Sequence, residues 1–283
     1  MASILLEVAA LAAKVLPARM RRGLYRLGPI SRGVRGLLNA AAPHGLNEVE
    51  VAAGPLAGAR LQLDLQTEKD LWLGNYEPDL LRAVQDFAEP GTVVFDVGAN
   101  LGYVSLAIAR VIGPAGQVIA FEPLPANFSR LQVNLGLNPE GQRIRPVEAA
   151  VGSRSSRSLF LLHASGGMGK LDGSSGRQLE YADSLEVQVV CLDDWVYLSG
   201  EAAPALVKID IEGGEVQALE GMARLLREAR PHVLIELHGP EAAGGSRQRL
   251  LAAQYRLHSM RSGYPEWRPG PWKDYVVGIP PTA

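Results

Sequence analysis

The sequence predicts an α/β fold in which a mainly parallel β-sheet is covered by helices on both faces. Two patterns support this prediction. Segments of strand length alternate along the chain with segments whose apolar residues recur at helical spacing, which is typical of parallel sheets. The strand-like segments are also nearly continuous apolar runs, as expected for strands that are buried on both faces.

The composition indicates one large globular domain, or a domain with an appendage. The chain has 283 residues, of which 47% are hydrophobic and 20% are charged, and this is ordinary globular usage. Its net charge of -2 argues against nucleic-acid binding, which depends on neutralising phosphates. The single cysteine, Cys191, cannot form an internal disulfide, so we expect a reducing, cytoplasmic location.

Residues 1–46 form a basic segment with helical character. Glu7 and Lys14 interrupt its apolar run and the arginines follow that run, so the segment matches neither a secretory signal nor a membrane span. Its basic residues are Lys14, Arg19, Arg21, Arg22, Arg26, Arg32 and Arg35. Peripheral contact with the inner face of a membrane is one interpretation. Packing within the protein, or against a second copy in a homo-oligomer, is the favoured one.

A β-hairpin and a short helix are predicted next. Residues 48–66 alternate polar and apolar side chains around a Gly/Pro turn, which predicts a hairpin. The basic segment and this hairpin make up a predicted N-terminal region, residues 1–66, and the remainder, 67–283, is predicted to be the main domain. A helix begins at Pro78 and stops before Pro90.

Five strands and three helices are predicted in the main domain. The strands lie near residues 92–96, 117–122, 144–148, 205–210 and 232–237. The helices run from Leu101 to Ile112, from Pro125 to Gly136, and without interruption over residues 215–230. Residues 152–190 are rich in Ser and Gly and are flanked by strand-like sequence, which predicts a hairpin carrying a flexible loop. A lid over a pocket and a plain surface insertion remain open as interpretations of that loop.

Five predicted strands share one unusual feature, which is an acidic residue where the apolar run stops. In an open parallel sheet, the carboxyl ends of the strands form the ligand-binding crevice. The sequence therefore predicts a site lined by carboxylates. These residues are Asp96, Glu122, Glu148, Asp210 and Glu236.

The loop after the first of these strands discriminates between cofactors. It carries Gly98, Asn100 and Gly102 and lacks the G-x-G-x-x-G pattern of dinucleotide-binding loops, which disfavours a nicotinamide-dependent oxidoreductase. Asn tolerates the left-handed backbone better than most residues and can replace glycine in such a turn. The loop leads into a helix whose free N–H groups suit a carboxylate, and Glu122 is placed for ribose hydroxyls.

The segment "LVKIDIEGGE" alternates charged and apolar residues. If the strand stays extended, Lys208, Asp210 and Glu212 share one face. A Lys208–Asp210 salt bridge is the structural interpretation, and it is compatible with a chemical role for Glu212. In "IELHG", His238 follows Glu236 at a strand end, and a functional role and a capping role both remain open.

The segments "FDVGANLGYVSLA", "AFEPLPANFSRLQVNLGLN", "LDDW", "VKIDIEGGEVQALEGM" and "PHVLIELHG" together resemble the FkbM-type S-adenosylmethionine-dependent methyltransferases. The similarity covers roughly residues 70–240 in the family's order. It implies a class I, Rossmann-like methyltransferase fold with a seven-stranded sheet and an antiparallel last strand. It also implies O-methylation of a sugar, a glycan precursor or another secondary metabolite. A non-catalytic, membrane-associated scaffold is the alternative from a different class.

The resemblance implies the following cofactor contacts. Asp96, Gly98 and Asn100, in the loop that continues to Gly102, would hold the methionine end of S-adenosylmethionine. Glu122 would bind the ribose, and Glu148 would lie near the adenine.

Two residues before the main domain's first helix complete this set. Tyr76 and Glu77, in "LGNYEP", are expected to close over the methionine portion of the cofactor. A helix-capping role is the alternative for both.

The candidate catalytic residues follow the two strands beyond the cofactor half, and they are Asp210, Glu212, Glu236 and His238. An alcohol needs a positioned general base to become a methyl acceptor. We expect His238 or Glu212 to be this base, with Asp210 orienting the acceptor. Asp210 and Glu212 would be the ligands if the enzyme used Mg2+, but two carboxylates two residues apart are no sufficient metal signature, so a metal-free reaction is favoured.

Overall fold

The computed structural model describes residues 2–16, 33, 36, 38–163, 169–174, 181–270 and 273–281. The chain divides into two compact units. The first comprises Met1–Pro78 and Gly136–Pro139, and the second comprises Asp79–Leu135 and Glu140–Ala283.

The first unit contains helix α1 (Ala2–Val15), strands β1 (Leu46–Glu50) and β2 (Arg60–Asp64), and helix α2 (Lys69–Trp72). The two strands pair antiparallel, with Leu46 opposite Asp64, which confirms the predicted hairpin.

The basic segment is described only in part. Lys14 forms an exposed ion pair with Glu50, at 3.3 Å between Nζ and Oε1. The arginines of the segment lie outside the described residues, so its contact with a membrane or with protein stays a prediction. None of the helices in the described ranges combines the length and the apolar character that a membrane crossing requires.

The second unit alternates strands and helices as predicted. Its helices are α3 (Pro78–Phe87), α4 (Tyr103–Ile112), α5 (Pro125–Gly136), α6 (Leu192–Tyr197), α7 (Glu215–Glu220), α8 (Ala223–Glu228) and α9 (Pro240–Ala252), with a 3-10 helix at Pro139–Arg143. Its strands are β3 (Val93–Val97), β4 (Gln117–Phe121), β5 (Ile144–Val147), β6 (Ala150–Val151), β7 (Ser156–His163), β8 (Gly169–Leu171), β9 (Tyr181–Val190), β10 (Leu206–Ile209), β11 (His232–His238), β12 (Arg256–Ser259) and β13 (Lys273–Ile279).

A seven-stranded sheet with the order β12-β13-β11-β10-β3-β4-β5 organises this unit. Strands β11, β10, β3, β4 and β5 are parallel, and β13 pairs antiparallel with both of its neighbours. The predicted mostly parallel sheet with an antiparallel last strand is therefore confirmed.

A second, four-stranded sheet has the order β6-β9-β7-β8. Strands β7 and β9 pair antiparallel, which confirms the hairpin predicted around the Ser- and Gly-rich sequence. Residues 164–168 and 175–180 of its loop lie outside the described part of the chain, so the lid stays a prediction.

Helices cover both faces of the seven-stranded sheet. On one face, apolar strand residues such as Phe95, Val207 and Ile235 share a core with residues of α6 to α9, among them Leu192 and Leu225. On the other face, Ser105 of α4 contacts Asp96 of β3. The central strands are therefore shielded from water, as their apolar sequences predict.

The predicted helix over residues 215–230 is wrong in one respect, because the structure divides it into α7 and α8. At the break, the carbonyl of Gly221 accepts a hydrogen bond from the amide of Asp193. The carboxylate of Asp193 in turn accepts hydrogen bonds from the amides of Arg224 and Leu225, in the first turn of α8. This side chain therefore supplies a helix start that periodicity alone does not reveal.

Candidate active site

The candidate site lies at the carboxyl ends of the parallel strands, where the order of the sheet reverses. From β3 the chain proceeds to β4 on one side of the sheet, whereas β10 pairs with the other side of β3 and leads on to β11. Such a reversal opens a crevice between the loops that leave the two central strands. The acidic strand ends therefore follow one edge of the sheet, on both sides of this point.

The loop after β3 has the backbone predicted from its residues. Gly98, Asn100 and Gly102 have φ angles of 79°, 50° and 92°, so Asn100 does adopt the left-handed conformation. The amides of Gly98 and Ala99 both donate to the carbonyl of Phe121, at 3.0 and 2.9 Å. The loop is thereby attached to the end of β4.

Gly98 is required by the protein's own packing. A Cβ at this position would lie 1.9 Å from the carbonyl oxygen of Asp210, in a backbone conformation that also disfavours side chains. The loop after β3 and the segment after β10 thus pass each other in direct backbone contact at the reversal point.

Glu122 is buried and joins the loop to helix α5. Its Oε2 accepts a hydrogen bond from the amide of Asn100 at 2.9 Å, and its Oε1 accepts from the amide of Leu124 and from Asn127 Nδ2. Burial raises the pKa of this carboxyl, and the hydrogen bonds from the two amides act in the opposite direction.

Asp96 and Lys208 form a buried ion pair beneath the loop. Lys208 Nζ lies 3.0 Å from Asp96 Oδ1, and the two side chains are 3% and 0% exposed. Ser105 donates to the other carboxylate oxygen at 2.5 Å, and Lys208 also donates to the carbonyl of Gly98 at 2.7 Å. Lys208 pairs with Asp96 because β3 and β10 place these two residues directly opposite each other. The Lys208–Asp210 salt bridge considered from the sequence stays a prediction.

Glu212 leaves the extended strand that the alternating sequence suggests. Strand β10 ends at Ile209, and Glu212 lies in a turn with φ 54°, followed by Gly213 with φ 119°. The amide of Gly213 donates to Glu215 Oε1 at 2.9 Å. Asp210 and Glu212 therefore share the site through this turn and not through a common strand face.

His238 is the centre of a cluster of carboxylates. Its Nδ1 lies 2.7 Å from Glu215 Oε1, and its Nε2 lies 2.7 Å from Glu236 Oε1. Nε2 also faces Glu212 Oε2 at 3.5 Å and Asp210 Oδ1 at 3.9 Å. The structure thus brings together the four residues that the sequence proposed for catalysis.

The carboxylates around His238 determine its protonation. Burial acts to lower the pKa of His238, but the side-chain interactions with Glu215 and Glu236 outweigh it and raise the pKa to about 10. Burial likewise opposes ionisation of Glu236, but His238 and Lys273 lower its pKa to about 2. With these surroundings alone, an imidazolium lies between two carboxylates at neutral pH and has no free lone pair with which to accept a proton.

Asp210 and Glu212 form the accessible side of the cluster. Their side chains are 20% and 28% exposed, against 0% for His238 and 4% for Glu236. The pKa of Asp210 is raised to about 6, and burial is the largest cause. The charge of Lys208 acts to lower this pKa, and the charge of Glu236 acts to raise it. An acceptor that enters the crevice would therefore meet Asp210 and Glu212 first.

Sequence reasoning missed Glu215, which is fully buried and fixes the ring of His238. It is the first residue of α7, where an acidic residue is common for helix-capping reasons, so its position alone does not indicate a site.

Three further residues were predicted to contact the cofactor, and they are Glu148, Tyr76 and Glu77. Glu148 is exposed and directly follows β5, at the same edge of the sheet as Glu122. Tyr76 and Glu77 belong to the first unit, and Glu77 has a φ of 34°. The roles of these three residues toward a cofactor stay predictions.

Comparison with known proteins identifies a family. Residues 96–257 match the model of the methyltransferase FkbM domain. A hexuronic acid methyltransferase, AglP of Haloferax volcanii, is 25% identical over 186 residues, which are 65% of this chain and 72% of that protein. The 31-O-demethyl-FK506 methyltransferase FkbM of Streptomyces tacrolimicus is 28% identical over 57% of this chain and 71% of its own length.

Two further matches cover less of the proteins concerned. The 2-O-methyltransferase NoeI of Sinorhizobium fredii is 27% identical over 50% of this chain and 62% of its own length. A crystal structure of a methyltransferase FkbM from Methylobacillus flagellatus is 17% identical, with a TM-score of 0.46, over 76% of this chain and 54% of the solved chain. This chain thus spans little more than half of that solved protein.

Proposed function

Because the chain belongs to the FkbM methyltransferase family, we propose that it transfers a methyl group from S-adenosylmethionine to a hydroxyl of a sugar, a glycan precursor or another secondary metabolite. The observation that carries this proposal is the edge of the sheet, where a glycine loop with Glu122 lies beside the accessible pair Asp210 and Glu212. Methyltransferase membership replaces the oxidoreductase and scaffold alternatives. Two relatives support parts of this proposal, because the name of one gives a hexuronic acid as its substrate and the name of the other gives an oxygen as the methylated atom.

The residues around the loop fit the proposed cofactor. A carboxylate offers about four lone-pair sites. Within the described ranges, Glu122 accepts three hydrogen bonds, from the amides of Asn100 and Leu124 and from Asn127. A further acceptor site on Oε2 suits a ribose hydroxyl. Gly98, Asn100 and Gly102 would hold the methionine end through backbone groups.

Four other residues are proposed to contribute to cofactor binding, and they are Asp96, Glu148, Tyr76 and Glu77. Asp96 would act through the loop that it anchors together with Lys208. Glu148 would lie near the adenine, and Tyr76 and Glu77 would close over the methionine portion. When bound, S-adenosylmethionine supplies a methyl group on a sulfonium sulfur, which leaves with the electron pair of the broken bond.

The chain's own residues would align the acceptor, exclude water and take up the hydroxyl proton. We propose that Glu212, on the accessible side of the cluster, takes up the hydroxyl proton. Asp210 would orient the acceptor. His238 is not assigned as base, because it is buried between Glu215 and Glu236 and already holds its proton.

The proposal is tested by incubating the full chain with an isotopically labelled methyl donor and a panel of hexuronic acid glycosides, neutral sugars and polyketide alcohols. Mass spectrometry is expected to find the label on a hydroxyl of at least one uronic acid or sugar. Calorimetry with S-adenosylmethionine and NADH is expected to detect binding of the first only. Binding of NADH alone, or label on nitrogen or carbon, would overturn the proposal.

The basic segment, residues 1–46, is proposed to add a protein contact within one chain or between two copies, with a peripheral membrane contact as the alternative. Cosedimentation of the full chain with anionic vesicles tests the alternative. Binding that is lost at high salt supports the membrane contact, and absence of binding supports the protein contact.

A further inference from the structure

We infer that Asp210, Glu236 and His238 form a binding site for a divalent cation, an inference that rests on the proposed function by placing the cation beside the acceptor hydroxyl. One potential ligand atom from each residue lies within 4.8 Å of the other two. This spacing allows all three atoms to bind a single ion. The sequence offered only Asp210 and Glu212, two carboxylates near each other in the chain, and the fold adds an imidazole and a third carboxylate from β11.

Two buried polar atoms point to a missing ligand. His238 Nε2 and Glu236 Oε2 are buried, and neither makes a hydrogen bond of acceptable geometry within the described residues. The 2.7 Å contact between Nε2 and Glu236 Oε1 is close but poorly aligned. Buried polar atoms without hydrogen bonds are rare and costly, so a bound ion would satisfy both.

Glu215 gives His238 the orientation of a metal ligand. Its Oε1 lies 2.7 Å from Nδ1, and both side chains are fully buried. A histidine that binds a metal usually donates its other N–H to a carboxylate, which fixes the tautomer and the ring. Nδ1 therefore donates to Glu215, and Nε2 is aimed at the carboxylates of Asp210 and Glu236.

The charges of the cluster also favour a cation. Four carboxylates surround His238, namely those of Asp210, Glu212, Glu215 and Glu236. Lys273 contacts Glu236 Oε1 from one side, and the nearby charge of Lys208 forms an ion pair with Asp96. A divalent cation among these four carboxylates would add positive charge to the acidic group, which lowers the cost of burying it.

The donor set selects the kind of cation. Carboxylate oxygens suit Mg2+ and Mn2+, whereas an imidazole nitrogen favours first-row transition metals. Two carboxylates with one imidazole therefore favour Mn2+ over Mg2+. At the accessible side, the ion would bind the acceptor's hydroxyl oxygen next to Glu212 and make its proton easier to remove.

The test is a titration of the chelator-treated full chain with Mn2+, in which the electron paramagnetic resonance signal measures free Mn2+. Wild-type protein is expected to bind one ion per chain. Asp210→Asn, Glu236→Gln and His238→Gln are each expected to weaken binding by at least about tenfold, the size found for changes around metal sites. Glu241→Gln, which removes an exposed carboxylate at the start of α9, serves as the matched control and is expected to bind like wild type.

Unsaturable binding by wild type, or equal binding by all variants, would overturn the cation site. Circular dichroism establishes whether each variant folds. If the variants of the buried residues do not fold, Mn2+ binding by Asp210→Asn decides the question.

Calorimetry with S-adenosylmethionine separates this result from the proposed function. Cofactor binding and methyl transfer without Mn2+ binding would reject only the cation site, and Mn2+ binding without methyl transfer to any acceptor would reject only the proposed function.

Discussion

Lys208 and Asp96 form a buried ion pair that also holds the loop of the candidate cofactor site. Their Nζ and Oδ1 atoms are 3.0 Å apart, and the same ammonium group donates to the carbonyl of Gly98. The pair thus joins the two central strands at the point where the sheet order reverses. The stability of the fold and the shape of the loop therefore depend on the same two side chains.

Replacing Lys208 with Met is expected to lower the free energy of unfolding by about 3–5 kcal/mol, because it leaves the buried carboxylate of Asp96 without its counter-charge. Urea denaturation measures this loss. Arg157→Met is the control, because it breaks an exposed pair with Glu186 and is expected to cost less than about 1 kcal/mol. Equal losses in both variants would contradict the role assigned to burial.

A second prediction concerns Gly98. The added Cβ of Gly98→Ala would lie 1.9 Å from the carbonyl oxygen of Asp210, so one of the two backbone segments must move. We expect loss of S-adenosylmethionine binding in calorimetry and a larger loss of stability than in Gly200→Ala. Gly200 also has a positive φ, of 73°, but an added Cβ there meets no atom, so its substitution costs only about 1–2 kcal/mol of backbone strain. If Gly98→Ala binds S-adenosylmethionine as wild type does, the loop after β3 does not form part of the cofactor site.

Glu122→Gln tests the ribose contact. The substitution removes the charge and replaces one acceptor oxygen by an amide donor. A hydrogen bond to a charged group is worth about 1.5–3 kcal/mol, so calorimetry is expected to find S-adenosylmethionine binding weakened roughly 10- to 100-fold. Glu241→Gln, on the exposed start of α9, is expected to leave the affinity unchanged. Wild-type affinity in Glu122→Gln would place the ribose elsewhere.

A pH dependence of stability is expected from His232, whose ring packs against Phe87 with 5.2 Å between ring centroids. Burial lowers its pKa from 6.5, so the unfolded chain binds more protons than the folded chain as the pH falls below that value. The stability that the neutral ring contributes is present above pH 6.5 and is lost as the pH falls through the folded-state pKa.

His232→Gln is therefore expected to lose less stability than wild type between about pH 8 and about pH 5, where histidine changes charge. Denaturant unfolding at both pH values measures the difference. His44→Gln, at an exposed position, is expected to retain the wild-type dependence. Identical pH dependence in wild type and His232→Gln would contradict the assignment.

The order of the strands and helices was predictable because it depends on patterns within short segments of the sequence. Apolar runs bounded by glycine and proline predict β3, β4, β5, β10 and β11, and Pro125 and Gly136 mark both ends of α5. The acidic strand ends were predictable for the same reason, because each one interrupts a run that otherwise suits a buried strand.

The contacts that build the site were not predictable from local patterns. The ion pair of Lys208 with Asp96 forms because β3 and β10 are neighbours in the sheet, and this pairing cannot be predicted from the sequences of the two strands. The division of the helix after residue 220 depends on Asp193, which is distant in the chain. Glu215 looks like an ordinary residue at a helix start, and only the fold reveals that it holds His238.

We propose that the acidic edge of the sheet has a cofactor half at Glu122 and a catalytic half at Glu212. The decisive experiment measures the kinetics of methyl transfer by Glu212→Gln at saturating donor, with donor affinity measured by calorimetry in parallel. Loss of a general base is expected to lower kcat by about 10²- to 10⁴-fold while the Kd for S-adenosylmethionine stays at the wild-type value. Wild-type turnover, or a loss of donor affinity as large as the loss of turnover, would contradict the claim.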